Sequence, residues 1–389
     1  LEISAQILNK TPSSGSLVLN VTDATGITSA YFSNFDTQKY SISYSDGSIE
    51  DLTSEQFSRQ QNGSRVTFTG LSNTACTVNV TLEKQSIKDK LKEFNRSTQL
   101  VVNKSSGIST NISGLTTSNF YGLRVQDKEI SLNVPDVCNV VSVLESKDTT
   151  SPTLDKLVFI SGLGLDVNSV VGEKVTGSES GAVAQIVTRD NATTIGIAYL
   201  NPSKFILGEI ITFDESRIVT TLQNITLGNH LNITNRYTLD KGQREQFYDY
   251  SRLVRKRNLA APSRELLVIY NNYTVPSSDT GDVFTANSYN KDRYTYDIPT
   301  LGKGTRATDT LDFRPRVSEF TSTTKSPFAF TSRDFSGDGA TSTLVVSPEA
   351  DSTLGYSWYL PRIDKLILTP GKEKDGEFSL IKGVSSLSP

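Results

Sequence analysis

The sequence predicts a mainly β protein: serial β-sandwich modules of immunoglobulin or fibronectin type, a small β-roll, and a β-rich C-terminal domain containing one short helix. Three observations lead there. Hydrophobic residues make up 36% of the chain and mean hydropathy is −0.29, which suits thin modules better than one large α/β core. Short runs of β-branched residues alternate with period two. Turn dipeptides rich in Gly, Asn and Asp separate those runs at intervals of about ten residues.

Residues 1–105 read as the first sandwich. Leu17–Val21, Val66–Thr69 and Thr77–Leu82 alternate as strands, with Asp46-Gly47 and Asn62-Gly63 as turns between them. Lys84–Phe94 is charged with sparse apolar positions and fits either a short surface helix or a long loop. Residues 106–154 read as a linker with connecting strands at Ile130–Val134 and Asn139–Leu144, and the Ser/Thr/Gly/Asn-rich run Asn103–Ser118 leads into it.

A small repeat follows, assigned to 155–228. Gly172-Glu-Lys-Val-Thr176 is echoed by Gly208-Glu-Ile-Ile-Thr212, each glycine opening a tight turn into a strand. The last domain, 229–389, carries a helical spacing at Phe247, Tyr250, Leu253 and Val254. That predicts a helix from Gln243 to Arg257, with Asp240 as cap and Arg255-Lys-Arg257 on the negative end of its dipole. Glu265–Asn271 reads as a buried strand, and Leu366–Thr369 with Glu377–Ile381 as a hairpin.

The last third is aromatic: ten of the 15 tyrosines lie at or beyond Tyr237, and the one tryptophan is Trp358. Three words stand there, Arg236–Tyr250, Leu311-Asp-Phe-Arg-Pro-Arg-Val317 and Trp358-Tyr-Leu-Pro-Arg-Ile-Asp-Lys-Leu366. In that order they resemble the tail-fibre and baseplate-associated structural proteins of contractile-tailed bacteriophages, including those of cyanobacteria, over residues 230–389. The resemblance implies a virion location, other tail or baseplate proteins as partners, a homotrimer and a part in host attachment. It implies no reaction.

The candidate site residues come from these words. Pro315 biases Arg314 to extended backbone, which puts Asp312, Arg314 and Arg316 on one face and Leu311, Phe313, Pro315 and Val317 on the other. The expectation is an apolar row in the core and an arginine pair that clamps carboxylates or carbonyls, within the chain or on a neighbouring subunit. Arg362 and Asp364, after Trp358, repeat the device.

Other chemistry is poorly supported, and the chain reads as non-enzymatic, with no catalytic, cofactor or metal residues assigned. His230 is the single histidine and lacks a serine-elbow or cysteine partner. No phosphate loop, dinucleotide fingerprint or zinc spacing occurs. Asp334-Phe-Ser-Gly-Asp-Gly339 begins like a calcium loop, but Val345 stands where a closing glutamate belongs. Asp292, Asp297 and Asp309 could serve a polysaccharide depolymerase, and Tyr294 or Tyr296 could stack on host glycans. Eleven Asn-x-Ser/Thr sequons read as chance matches in a chain rich in those residues.

Cys76 and Cys138 are too few for a disulfide scaffold, and Cys76 reads as a buried small hydrophobe. A net charge of −3 supplies no field for nucleic acid or an anionic membrane. No apolar run approaches the roughly 18 residues that span a bilayer. With Leu1 first, no methionine anywhere and no signal-peptide pattern, the expectation is the ordered part of a longer protein.

Overall fold

The computed structural model describes residues 1–24, 29–103, 120–290, 298–301, 304–322, 324–335, 345–346, 360–369 and 376–386. Strand takes 45% and helix 7%, so the protein is mainly β. Residues 2–348 form one compact unit and residues 349–389, with Leu1, another.

The first sandwich is built from β1 (Glu2–Lys10), β2 (Ser16–Asn20), β3 (Ala30–Phe32), β4 (Tyr40–Tyr44), β5 (Ile49–Glu50), β6 (Phe57–Gln60), β7 (Arg65–Thr69) and β8 (Cys76–Lys84). One sheet runs β1-β8-β4-β5 with β3 also on β8, and the other runs β2-β7-β6. Alternate residues of each strand point inward and fill the space between the sheets. Ile7, Leu19, Phe32, Tyr40, Ile42, Val66, Phe68, Val78 and Leu82 are all at most 1% exposed there. The Asp46-Gly47 turn forms as read, with Gly47 at φ +88° and its N–H on the Tyr44 carbonyl.

A second sandwich follows. Strands β9 (Glu93–Val102), β10 (Glu129–Pro135) and β11 (Val137–Ser146) precede a barrel made of β12 (Asp155–Phe159), β13 (Lys174–Gly177), β14 (Val183–Asn191), β15 (Thr194–Tyr199), β16 (Ile210–Phe213) and β17 (Val219–Thr226). After the barrel come β18 (His230–Asn232), β19 (Tyr237–Asp240), β20 (Tyr250–Arg255) and β21 (Leu266–Thr274). One sheet is ordered β18-β11-β21-β9 and the other β10-β20-β19, with Val125, Ile130, Leu132, Val143, Leu253 and Val268 buried in their shared core. The barrel is therefore inserted into a sandwich. Strands read from sequence as connections pair across it with strands read as a separate C-terminal domain.

The expected helix from Gln243 to Arg257 is not formed. Its residues enter the β19–β20 hairpin, and the one α-helix among the described residues, α1 (Leu165–Asn168), lies in the barrel region instead. Gly242 at φ +72° takes the chain off the helical path, its N–H held by Asp240 Oδ1 at 3.0 Å. The Tyr248 N–H is donated to Pro315, and β20 pairs with β10 and β19 on its two edges. Over so few residues the apolar spacing fits either period, and tertiary pairing decides. Lys84–Phe94 resolves into the end of β8, a loop and the start of β9.

The repeat becomes an internal two-fold in the barrel. β13 pairs antiparallel with β16 through Thr176 opposite Thr212, which are equivalent positions of the two copies. Gly172 N–H bonds the Ile186 carbonyl at 2.8 Å and Gly208 N–H bonds the Leu222 carbonyl at 2.9 Å. Each copy's glutamate reaches into the other's turn. Glu173 Oε2 accepts from the N–H groups of Glu215 and Ser216, and Glu209 Oε2 from those of Glu179 and Ser180. The Gly-Glu pair is thus a turn followed by a brace.

β22 (Val345–Val346) adds to the free edge of β1. In the second unit β23 (Lys365–Thr369) and β24 (Glu377–Ile381) form the expected hairpin.

Candidate functional site: a buried cation–aromatic knot

Where the second sandwich meets the segment after β21, several charged side chains leave solvent together. Backbone pairing fixes each of them. Lys92, just before β9, donates its N–H to the Ser288 carbonyl, and Asp136, in the corner between β10 and β11, accepts from the Tyr273 N–H. Phe284 and Asp312 exchange two backbone bonds of 2.9 Å, while Tyr248 bonds Pro315 and Val317.

The Lys92 ammonium sits among four rings, 4.4 Å from the centroid of Phe284, 4.7 Å from Tyr248, 4.7 Å from Tyr289 and 5.8 Å from Tyr273. The negative ring faces replace part of its lost hydration. Its three protons go to Asp136 Oδ2 at 2.6 Å, Tyr289 Oη at 2.8 Å and Tyr248 Oη at 3.3 Å. Both the Lys92 and Asp136 side chains are 0% exposed. Burial pushes the Lys92 ammonium below its usual pKa, with the Asp136 charge opposing. Burial also pushes the Tyr248 hydroxyl well up, aided by Tyr289 and Asp312.

A second layer holds Tyr248. Its hydroxyl donates to Asp312 Oδ2 at 2.5 Å. Arg314 grips the same carboxylate through Nε at 2.9 Å and Nη2 at 2.6 Å, and lies 4.4 Å over the Tyr248 ring. Its remaining donors reach the Arg244 carbonyl and Gln243 Oε1. Burial alone would raise the Asp312 carboxyl, but bonds from Arg314, its charge and Tyr248 hold it below the ordinary value. Arg316 Nη2 donates to the Tyr273 carbonyl at 2.9 Å.

The structure thus gathers Asp312, Arg314 and Arg316 on one face, as the alternation requires, but it is the polar face that turns inward. Asp312 and Arg316 are 5% and 3% exposed, whereas Leu311, Phe313 and Pro315 are only half-buried. The expected apolar row does not line the core, apart from Val317. The reason is that the inward side offers acceptors to the guanidinium groups: the Tyr273 carbonyl to Arg316, and the Arg244 carbonyl and Gln243 Oε1 to Arg314. Arg362 and Asp364 form a bidentate pair of 2.7 and 2.9 Å with each other in the second unit. Trp358 lies outside the described residues.

Sequence reasoning missed Lys92, Asp136, Tyr273, Phe284 and Tyr289. Lys92 falls in a run of charged residues that looks solvated, and nothing local marks it for burial. The strand reading of Glu265–Asn271 stopped just short of Tyr273.

The remaining candidates are dispersed. His230 bonds the Thr153 carbonyl through Nδ1 at 2.6 Å and stands 3.9 Å from Asp155, a packing arrangement at the barrel junction. Asp309 pairs with Arg306. Asp292, Tyr294, Tyr296, Asp297 and most of the Asp334–Gly339 loop lie outside the described residues. Among the described residues no three His, Cys, Asp or Glu side chains gather to hold a metal. Cys76 is buried in the first core, Cys138 is buried beside Tyr273 and Tyr289, and no disulfide joins them. A groove of about 680 Å³ crosses β9 and β21, but its Tyr270 is 3% exposed and offers no ring face for a sugar. Among the described residues no helix is long and apolar enough to cross a membrane.

Comparison with family models, curated proteins and solved structures finds no match to this chain.

Proposed function

We propose that this chain is a non-enzymatic structural component of a phage tail, in the fibre or associated with the baseplate, acting as a spacer and docking element within a homotrimer. The resemblance of its three C-terminal words motivates the location. Two β-sandwiches and a closed barrel are modules suited to a spacer.

The observation that carries the docking role is the β23–β24 hairpin. Leu366 pairs with Leu380 and Leu368 with Phe378, so the four share one face. They are 66%, 55%, 59% and 67% exposed. A two-stranded hairpin is marginal alone in water, and an apolar face of this kind marks a protein contact. Burying it between symmetric copies stabilises hairpin and assembly together.

Sedimentation velocity of the intact protein at micromolar concentration tests this. A trimer that dissociates on Leu368→Asp supports it. A stable monomer, or a trimer indifferent to Leu368→Asp and Phe378→Asp, overturns it.

A further inference from the structure

The knot holds a primary amine against a carboxyl group in a core closed to water. Lys92 and Asp136 are 44 residues apart in sequence, yet Nζ and Oδ2 meet at 2.6 Å. Fixed backbone anchors on both sides remove the translational freedom that normally separates such groups. An amine and a carboxyl held this way are the reactants of amide formation.

We propose that Lys92 and Asp136 condense to an intramolecular isopeptide bond, joining Lys92 Nζ to Asp136 Cγ with release of one water. The electron count closes without oxidant or cofactor. A proton passes from the ammonium to Asp136 Oδ2 along their hydrogen bond, giving a neutral amine and a carboxylic acid. Both side chains are fully buried, and burial favours the neutral form of the Lys92 amine. The amine lone pair then attacks Cγ, and the carbonyl electrons move onto Oδ1. Gln243 Nε2 donates to that oxygen at 3.1 Å and stabilises the charge developing there. When the Cγ–Oδ2 bond breaks, the hydroxyl departs with the proton shed by Nζ as water.

That proton passes directly from Nζ to the departing Oδ2, 2.6 Å away, and Tyr248 orients the amine for it: its hydroxyl oxygen accepts from Nζ at 3.3 Å while its own proton points to Asp312 Oδ2 at 2.5 Å. Asp312, gripped by Arg314, is a positioning residue that fixes this orientation. The four rings exclude the water that would reverse the reaction. The product replaces two buried charges by one neutral amide and ties the segment entering β9 to the corner between β10 and β11.

Denaturing intact-mass spectrometry of the full chain, followed by peptide mapping, tests the proposal. The expected result is a chain one water lighter than its sequence mass, with a branched peptide joining Lys92 to Asp136. Lys92→Arg and Asp136→Ala return it to full sequence mass. In Tyr248→Phe, which keeps the ring, a full-mass species accumulates and converts slowly. Wild-type protein at full sequence mass, with the two peptides unlinked, overturns the bond. A water loss mapped elsewhere, such as a succinimide at Asp46-Gly47, overturns it equally. Tyr248→Phe that cross-links as fast as wild type removes the tyrosine from the mechanism.

Discussion

Replacing Glu209 by alanine takes one brace out of the barrel. Its carboxylate accepts from the Ile206 N–H at 2.7 Å, the Glu179 N–H at 3.1 Å, the Ser180 N–H at 3.0 Å and the Ser180 hydroxyl at 2.9 Å. Hydrogen bonds to a charged group contribute about 1.5–3 kcal/mol each when they cannot be replaced. Here Glu179 and Ile206 are exposed residues, so their N–H groups regain water once the carboxylate is gone. The expected loss is therefore about 3 kcal/mol, well below the sum of the separate bonds. Native-state hydrogen exchange is the assay, because it reads the barrel independently of the two sandwiches. Protection should fall at Glu179, Ser180 and Ile206. The two-fold predicts a matching loss at Val170, Glu215 and Ser216 in Glu173→Ala. A change below about 0.5 kcal/mol in either variant, or costs that differ by more than about 1 kcal/mol, would refute the equivalence of the two braces.

The pH dependence has a definite sign. Burial alone would raise the Glu209 carboxyl, but the donors from Ser180, Ile206 and Glu179 hold it below the ordinary glutamate value. Its stabilisation is present above the unfolded-state pKa of about 4.3 and is lost as pH falls through the lower folded value.

Two further outcomes are expected. Gly242→Ala meets both a φ of +72° and an added Cβ 2.2 Å from the Asp249 carbonyl oxygen; it should cost more than about 1 kcal/mol in urea unfolding, and a neutral result would mean the β19–β20 connection relaxes freely. Arg314→Lys keeps the charge beside Asp312 but loses the fork and the stacking on Tyr248, so thermal unfolding should report a loss of about 2 kcal/mol, and an unchanged midpoint would show that the point charge alone suffices.

The strands and turns were legible because their determinants are local. Leu17–Val21, Val66–Thr69 and Thr77–Leu82 alternate with a period fixed by strand geometry, and Asp46-Gly47 supplies the one backbone conformation its turn needs. The Gly-Glu repeat was legible for the same reason, although the reciprocal reach of its glutamates was not. The Gln243–Arg257 segment misled because its spacing suits two periods, and only the strands on either side of β20 choose between them.

What the sequence determined by itself is therefore the class of the fold: many short strands, tight turns, a doubled module and an aromatic final third. The tertiary structure alone decided which charges are buried. Lys92 finds Tyr289 across 197 residues of sequence, and no local pattern distinguishes it from the exposed Lys88 in the same run. The inward turn of Asp312 and Arg316 follows from the same physics. A charge enters a core only where distant partners have been assembled to replace its water, and that assembly is a property of the folded chain.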